Sequence, residues 1–318
     1  MKISVALAAY KGEKFIGEQI ASLLEQTLLP DEIVITDDSP DDLTEKAVKK
    51  FSDPRIRYFR NDKQLGVNRN FERAISLCSG EIIFLCDQDD VWKKDKIGKM
   101  VDALEKDPDA DGVFCNSSVV NSELKPLGFD LWQMRGFSEK MQKRFLAGKQ
   151  LDVFLKRVTC STHNIALRRR ILEKALPFPE LGPFYSDTWF GLLIAAVSKW
   201  VLTDKELTLY RVHGDNLSAP ELAGFTAQMQ LSRNARKKNS IAATAVLADE
   251  LLKRLPENTP ENIRGKLTDF ARHYTIRNGY SRHFFIRIFQ VAAEIFSCRY
   301  SCYSNGWKSI AADLFLFQ

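Results

Sequence analysis

Five apolar runs of strand length are separated by four segments of helical character within the first 120 residues, and no other feature limits the fold as much. The runs are ISVALAA, EIVIT, RIRYF, EIIFLC and GVFCNSSVV. Between the first two, Phe15, Ile16, Ile20, Leu23 and Leu24 fall at helical spacing. The next segment, DDLTEKAVKKF, opens on acidic residues, which favour a helix start. NRNFERAISLC and KKDKIGKMVDALEKD complete the pattern. Such alternation predicts an α/β fold whose sheet is mainly parallel and carries helices on both faces. Right-handed crossovers then line up the strand C-termini along one edge, where sheets of this kind bind ligands. Three of these ends carry polar groups: AAYKGE after the first strand, TDDSPDD after the second and CDQDD after the fourth.

Past residue 125 the alternation fades. FSEKMQKRFLAGKQLDVFLKR reads as helix, and STHNIALRRRILEKAL as a short strand and a helix. A further helix starts near Ser186, and WVLTDKELTLYRVHGDN reads as two short strands turning at Asp204–Lys205. From Phe225 the reading is helical, broken at PENTPEN and restarted by Thr259-Pro260-Glu261. The expected division is an α/β domain over 1–217 and a basic helical C-terminal region over 218–318. Charge supports it: residues 225–318 carry fourteen Lys/Arg and seven Asp/Glu, net +7, whereas 1–224 carry 32 and 34, net −2.

Within the basic part, RHFFIRIFQVAAEIF mixes aromatic residues with arginine. It suits peripheral contact with an anionic membrane surface. It equally suits a cap on the first domain with its arginines in water. No recognised motif accompanies the charge, so nucleic acid is not an expected partner. MKISVALAAY reads as a strand and not a signal peptide, and no run of eighteen apolar residues is present to span a bilayer. Six cysteines lack metal-ligand spacing and are expected reduced. The expectation is a cytoplasmic protein, peripheral on the inner face of the cytoplasmic membrane if the basic helices meet lipid.

Asp87, Asp89 and Asp90 crowd the end of the fourth strand. Helix capping accounts for one or two of them. Three beside a buried strand call for a cation, and Mg2+ or Mn2+ is held by one or two carboxylates together with substrate phosphates. Asp37 and Asp38 suit either turn formation or hydrogen bonding to a base or ribose. The glycine fingerprints of dinucleotide-binding sheets and of P-loops are both missing, which excludes those classes. Asp187, between Tyr185 and Trp189, serves as a helix cap or as a general base whose pKa an apolar pocket raises. His213 is a structural histidine or a metal ligand. Arg211 suits a diphosphate.

Taken in order, ALAAYKGEKFIGEQIASLLEQT, EIVITDDSPDD, LGVNRNFERAISLCSGEIIFLCDQDDVW, SDTW and LYRVHGDN resemble the bacterial family 2 glycosyltransferases over residues 1–217. The DQDDVW stretch is similar to the rhamnosyltransferase-like branch. The resemblance implies a GT-A fold with a nucleotide-diphosphate sugar donor, Mn2+ or Mg2+, and inversion at the anomeric carbon. It further implies transfer to a hydroxyl of a saccharide or lipid-linked saccharide in cell-surface polysaccharide synthesis, with dTDP-rhamnose as the branch's donor. By position, Ala8, Tyr10 and Glu13 would hold the nucleotide, Asp38 or Asp37 would read the base, and Asn70 would join the donor site. Asp87 and Asp89 match the D-x-D carboxylates, with Asp89 on the metal. Asp187 matches the acceptor-activating carboxylate, and His213 the histidine that approaches metal and diphosphate. Ala9-Tyr10-Lys11 departs from a frequent T-Y-N, and TCSTHNIALRRR lacks the Gly common before its HN pair, which leaves Ser161–Asn164 open as acceptor contacts. Two rival readings are a sugar-1-phosphate nucleotidyltransferase and a non-catalytic sugar- or partner-binding protein. AAYKGEKF is too poor in glycine and basic residues for the first, and the intact Asp87, Asp89, Asp187 and His213 count against the second.

Overall fold

The strands of the computed structural model are β1 (Ile3–Ala9), β2 (Glu32–Asp37), β3 (Ile56–Arg60), β4 (Ile82–Asp87), β5 (Val91–Trp92), β6 (Ala110–Val120), β7 (Pro126–Asp130), β8 (Ile165–Arg168) and β9 (Lys199–Arg211). The structure describes residues 1–180, 182, 184–214, 216 and 227–315, and only the backbone of 227–239. Among the described residues the strands form one sheet in the order β3-β2-β1-β4-β8-β6-β9-β5, with β7 on β6. The β1–β2, β2–β3, β1–β4 and β6–β9 pairs are parallel. β8 runs antiparallel between β4 and β6, β5 antiparallel on β9, and β7 antiparallel on β6. Six of the nine strands therefore point the same way, the mostly parallel sheet that the alternation predicts.

Helices cover both faces. They are α1 (Ile16–Leu24), α2 (Leu43–Val48), α3 (Val67–Leu77), α4 (Lys96–Glu105), α5 (Leu131–Arg135), α6 (Glu139–Leu146), α7 (Gln150–Lys156), α8 (Leu172–Ala175) and α9 (Ser186–Val197). Side chains of a strand alternate between faces, so a strand buried on both reads as a continuous apolar run. Ile3, Val5 and Leu7 pack with α1 and α4 through Ile20, Leu23, Ile97 and Met100. Ala6 faces the other way, with Phe71 and Ile75 of α3 and Phe190 of α9. At the opposite strand ends from the polar motifs, Glu32 of β2 ties β1, β3 and the loop before β4 together. Burial works against its charge, yet donors from Ser4, Ser79 and Arg57 hold its carboxyl down to about 2.

Residues 199–211 depart from the expected pair of short strands. They form one long strand, because β9 follows β6 through register shifts near Asn116 that absorb the polar Asp204–Lys205 stretch without a reversal.

The C-terminal part contains α10 (Ala227–Arg254), α11 (Glu261–Asn278), α12 (Phe284–Phe296), α13 (Arg299–Tyr303) and α14 (Trp307–Phe315). The expected boundary at 217/218 lies outside the described residues. Leu247, Leu251, Leu267 and Phe270 share one apolar cluster with Phe114, Trp189 and Trp200 of the α/β part, so the two regions bury a common core. No helix among the described residues is long and apolar enough to cross a membrane.

Candidate active site

The parallel register of β1 and β4 sets Ala8 opposite Asp87 at the strand ends. Beyond them the chain folds back on itself. Gln88 uses both ends of its amide on Tyr10, accepting from the Tyr10 N–H at 2.8 Å and donating to the Tyr10 carbonyl at 2.8 Å. The approach is so close that any side chain at Gly12 would collide with Gln88. Lys11 N–H donates to Ser39 Oγ at 2.7 Å and Gly12 N–H to Thr44 Oγ1 at 2.9 Å. The polar turns after β1, β2 and β4 are thus fastened into one rim, from which the Tyr10 and Glu13 side chains project exposed.

The side chains of Asp87 and Asp89 are 35% and 18% exposed, whereas Asp90 is fully buried. His213 Nε2 lies 3.0 Å from Asp89 Oδ2, and its ring packs 4.8 Å from Phe15. Beneath Asp87, the buried His163 places Nδ1 3.5 Å from Asp87 Oδ2 and 3.6 Å from Asp90 Oδ2. The imidazole is stacked on Tyr210 at 4.8 Å with ring planes 6° apart. Burial pushes the Asp90 carboxyl up to about 7, with the neighbouring His163 opposing the shift. A cation of the protein's own stands behind this acidic turn. The buried ammonium of Lys96 donates to the His163 carbonyl at 2.6 Å and to Thr208 Oγ1 at 2.7 Å, 3.8 Å from the centre of the Trp92 ring. Burial holds its pKa below the usual lysine range.

The site fits a divalent cation. Ligand atoms of Asp87, Asp90 and His163 lie within 4.8 Å of one another, and Asp90 Oδ2 is buried without a hydrogen-bond partner. The Asp89–His213 pair adds a second carboxylate and imidazole on the same turn. Carboxylate with imidazole is a donor set for a first-row or group 2 divalent ion.

Asp187 enters through α9. Its Oδ1 accepts from Thr188 N–H at 2.6 Å and from Thr188 Oγ1 at 3.2 Å, and Oδ2 meets no donor among the described residues. Burial raises its pKa, outweighing the Arg135 guanidinium and the Thr188 donors that favour the charge; Asp87 adds to the rise, so the two carboxylates feel one another. The link between them is the 161–164 segment, where Thr162 Oγ1 and Ser186 Oγ are 3.1 Å apart and His163 reaches Asp87.

Four residues expected at the ligand make hydrogen bonds within the protein. Arg211 is 1% exposed, and its guanidinium donates to Glu18, the Asp89 carbonyl and the Ser122 carbonyl while lying over Phe15. It fastens the acidic turn, and its backbone N–H also donates to Asp90 Oδ1 at 3.0 Å. Asn70 donates to the carbonyls of Ala9 and Thr36 and accepts from Asn61, locking β1 to β2. Asp37 accepts from Ser39 and Tyr58 and is fully buried. Asp38 accepts from the Leu65 and Gly66 N–H groups and from Asn61, which shapes the loop before α3. Sequence reasoning missed Gln88, Lys96, His163 as a carboxylate partner, and Arg135. Lys96 left a signal, since it occupies the position of an apolar residue on the buried stripe of α4 with Ile97, Met100 and Leu104.

Comparison with known proteins bears on the family and the fold. The chain is 34% identical over 229 residues to an uncharacterized glycosyltransferase of Haemophilus influenzae, covering 68% of this chain and 67% of that protein. It is 31% identical over 232 residues to the Escherichia coli UDP-Glc:alpha-D-GlcNAc-diphosphoundecaprenol beta-1,3-glucosyltransferase WfaP, covering 73% of this chain and 86% of that one. It spans 66% of a Nostoc uncharacterized glycosyltransferase and 47% of the Escherichia coli WfgD. Among solved structures, S. aureus TarS 1-349 in complex with UDP-GlcNAc superposes with a TM-score of 0.60 at 16% identity, over 99% of this chain and 82% of that one. The Pyrobaculum calidifontis mannosyltransferase PcManGT in complex with GDP-Man and Mn2+ gives 0.57 at 15% identity, over 98% and 84%. These two likenesses bear on the fold, which is of the GT-A type. The family profile described as Glycosyl transferase family 2 matches residues 4–176, more than half of the sequence, and the chain belongs to that family.

Proposed function

We propose that the chain is an inverting, metal-dependent glycosyltransferase that moves a sugar from a nucleotide diphosphate to a hydroxyl of a saccharide, carried on a lipid diphosphate. One observation carries the reading: a partly exposed Asp89–His213 pair beside Asp87, at the same strand edge as a buried Asp187 whose pKa is raised. Asp89 and His213, both partly exposed, would hold Mn2+ or Mg2+, with the Asp87, Asp90 and His163 donor cluster beside them. When bound, such an ion neutralises charge on the leaving diphosphate. Asp187 takes the proton of the acceptor hydroxyl through Oδ2 while Thr188 holds the other oxygen. The hydroxyl oxygen then bonds to the anomeric carbon from the face opposite the breaking carbon–oxygen bond. Arg211 and Gln88 keep the acidic turn and the Tyr10 rim in place.

The relatives named for UDP-glucose and diphosphoundecaprenol support a lipid-linked acceptor of the kind used in cell-surface polysaccharide synthesis. The donor sugar is open among UDP-glucose, UDP-GlcNAc, GDP-mannose and the dTDP-rhamnose of the rhamnosyltransferase-like branch. A thermal-shift screen of these donors with and without Mn2+ tests the reading, because a ligand that binds only the folded state raises its apparent stability. One donor should raise the melting temperature only with Mn2+ present, and Asp89→Ala should abolish that dependence. A donor that binds equally well without metal, or binds the variant as well as the native chain, rules the metal role out.

A further inference from the structure

We infer that the α12–α14 face carrying Phe285, Phe289, Phe296, Trp307 and Phe315 rests on a lipid bilayer with anionic headgroups. These five side chains are 77%, 76%, 88%, 73% and 68% exposed, far beyond scattered surface apolar residues. Positions 285, 289 and 296 fall on one stripe of α12. Phe284 joins the stripe to the end of α14, with ring centres 5.9 Å from Phe285 and 6.3 Å from Phe315.

Charge selects the occupant. Residues 279–315 contain two acidic side chains, Glu294 and Asp313, and both are buried. Glu294 is taken up by His273 at 2.7 Å and Arg299 at 2.6 Å, and Asp313 by Arg277 at 2.7 Å and Tyr300 at 2.6 Å. The charged side chains of this stretch that remain exposed, Arg282 and Lys308 together with His283, are all basic. An apolar face edged by cations matches acyl chains below anionic phosphates. A second copy of the chain seated symmetrically on this face would set like charges together. At thirteen residues, α12 is about 20 Å long and too short to cross, so it lies along the surface. The lipid contact stands on this surface alone; its use, bringing the crevice to an acceptor held in the bilayer, rests on the function proposed above.

Flotation of the full chain with vesicles tests it, using phosphatidylcholine alone and phosphatidylcholine mixed with phosphatidylglycerol. The chain should float with the mixed vesicles and bind the neutral ones about tenfold more weakly or less. Phe285→Ser, Phe289→Ser and Phe296→Ser combined should stay unbound while hydrolysing a soluble nucleotide-sugar donor as the native chain does. Arg282→Glu with Lys308→Glu should lose the preference for the anionic vesicles. The inference is overturned if the native chain does not float, if the triple serine variant floats equally, or if those phenylalanines hold a dimer that ignores vesicles. Flotation that depends on the phenylalanines upholds the lipid surface even where no donor is turned over, an outcome that would count against the catalytic reading instead.

Discussion

Asp187 is held in the first turn of α9 with burial opposing its charge and Thr188 donors favouring it. Burial wins, so the carboxyl titrates above the ordinary carboxylate range, which suits a base that must accept a proton and hand it on. A base works only when deprotonated. Transfer should therefore fall as pH drops through this raised pKa, and the acid limb of the kcat profile should lie above pH 4, about the ordinary carboxylate value. Asp187→Asn should lower kcat roughly 10²–10⁴-fold while leaving the donor-induced thermal shift intact. Thr188→Val removes a donor to the charged form, so it should move the acid limb upward. An unchanged limb in that variant, or full turnover by the asparagine variant, would dismiss the assignment. How far these roles could be read beforehand depends on what carried the signal. The crowding of Asp87, Asp89 and Asp90 is visible in one line of sequence. His163 is not, because 73 residues separate it from Asp90 and only the β4–β8–β6 pairing brings it under Asp87. The internal hydrogen bonds of Arg211, Asn70 and Asp38 were not legible either, because polar residues at a strand edge serve turns as readily as substrates, and composition does not separate the two uses.

At the scale of elements, the alternating half was legible since both sheet faces are buried and each strand reads as an apolar run. β5 has two residues and β7 reads PLGFD, so neither carries a period to detect. The arginine-rich helices misled in a different way. Arg277 and Arg287 are buried, not in water, and each has a partner on α14, beyond the reach of local pattern. The same helices bury a pH-sensitive group. His273 sits between α11 and α12, its Nδ1 2.7 Å from Glu294, which only accepts, so the neutral ring is assigned with its proton there. Burial outweighs Glu294 and pushes its pKa down to about 4. The unfolded chain retains an ordinary histidine near 6.5, so between these values it binds more protons than the folded one. Stability must then fall as pH drops from about 6.5 toward 4, by on the order of 2–3 kcal/mol for this group. Denaturation at pH 7 and pH 5 should show the loss in the native chain and a smaller one in His273→Gln. Equal losses would mean that Glu294 keeps the ring charged in the fold.

For the whole molecule, the packing of α10 against the α/β part decides whether the basic region is an appendage or a support. Arg254, at the end of α10, donates to the carbonyls of Lys174 at 2.9 Å, Leu176 at 3.2 Å and Pro177 at 2.9 Å, and its guanidinium lies 5.9 Å from the Trp189 ring. Trp189 in turn donates from its indole to the Ala175 carbonyl at 3.0 Å, and it stands two residues from Asp187 in α9. One cation therefore satisfies the frayed end of α8 and backs the helix that carries the proposed base. Removing it leaves those partly exposed carbonyls to water, and a hydrogen bond of this kind is worth about 0.5–1.5 kcal/mol net. Arg254→Ala should lower stability by that amount, and Arg254→Lys should recover part of it, since one ammonium cannot span three carbonyls in a fixed fork. The neighbouring Lys253 supplies the control: it is 68% exposed and paired with Glu250, so Lys253→Ala should leave stability nearly unchanged. If α10 supports α9, Arg254→Ala also lowers the transfer rate, whereas Lys253→Ala does not. Comparable effects from both substitutions, in chemical denaturation and in turnover, would show that the C-terminal helices add charge to the molecule without bracing its catalytic half.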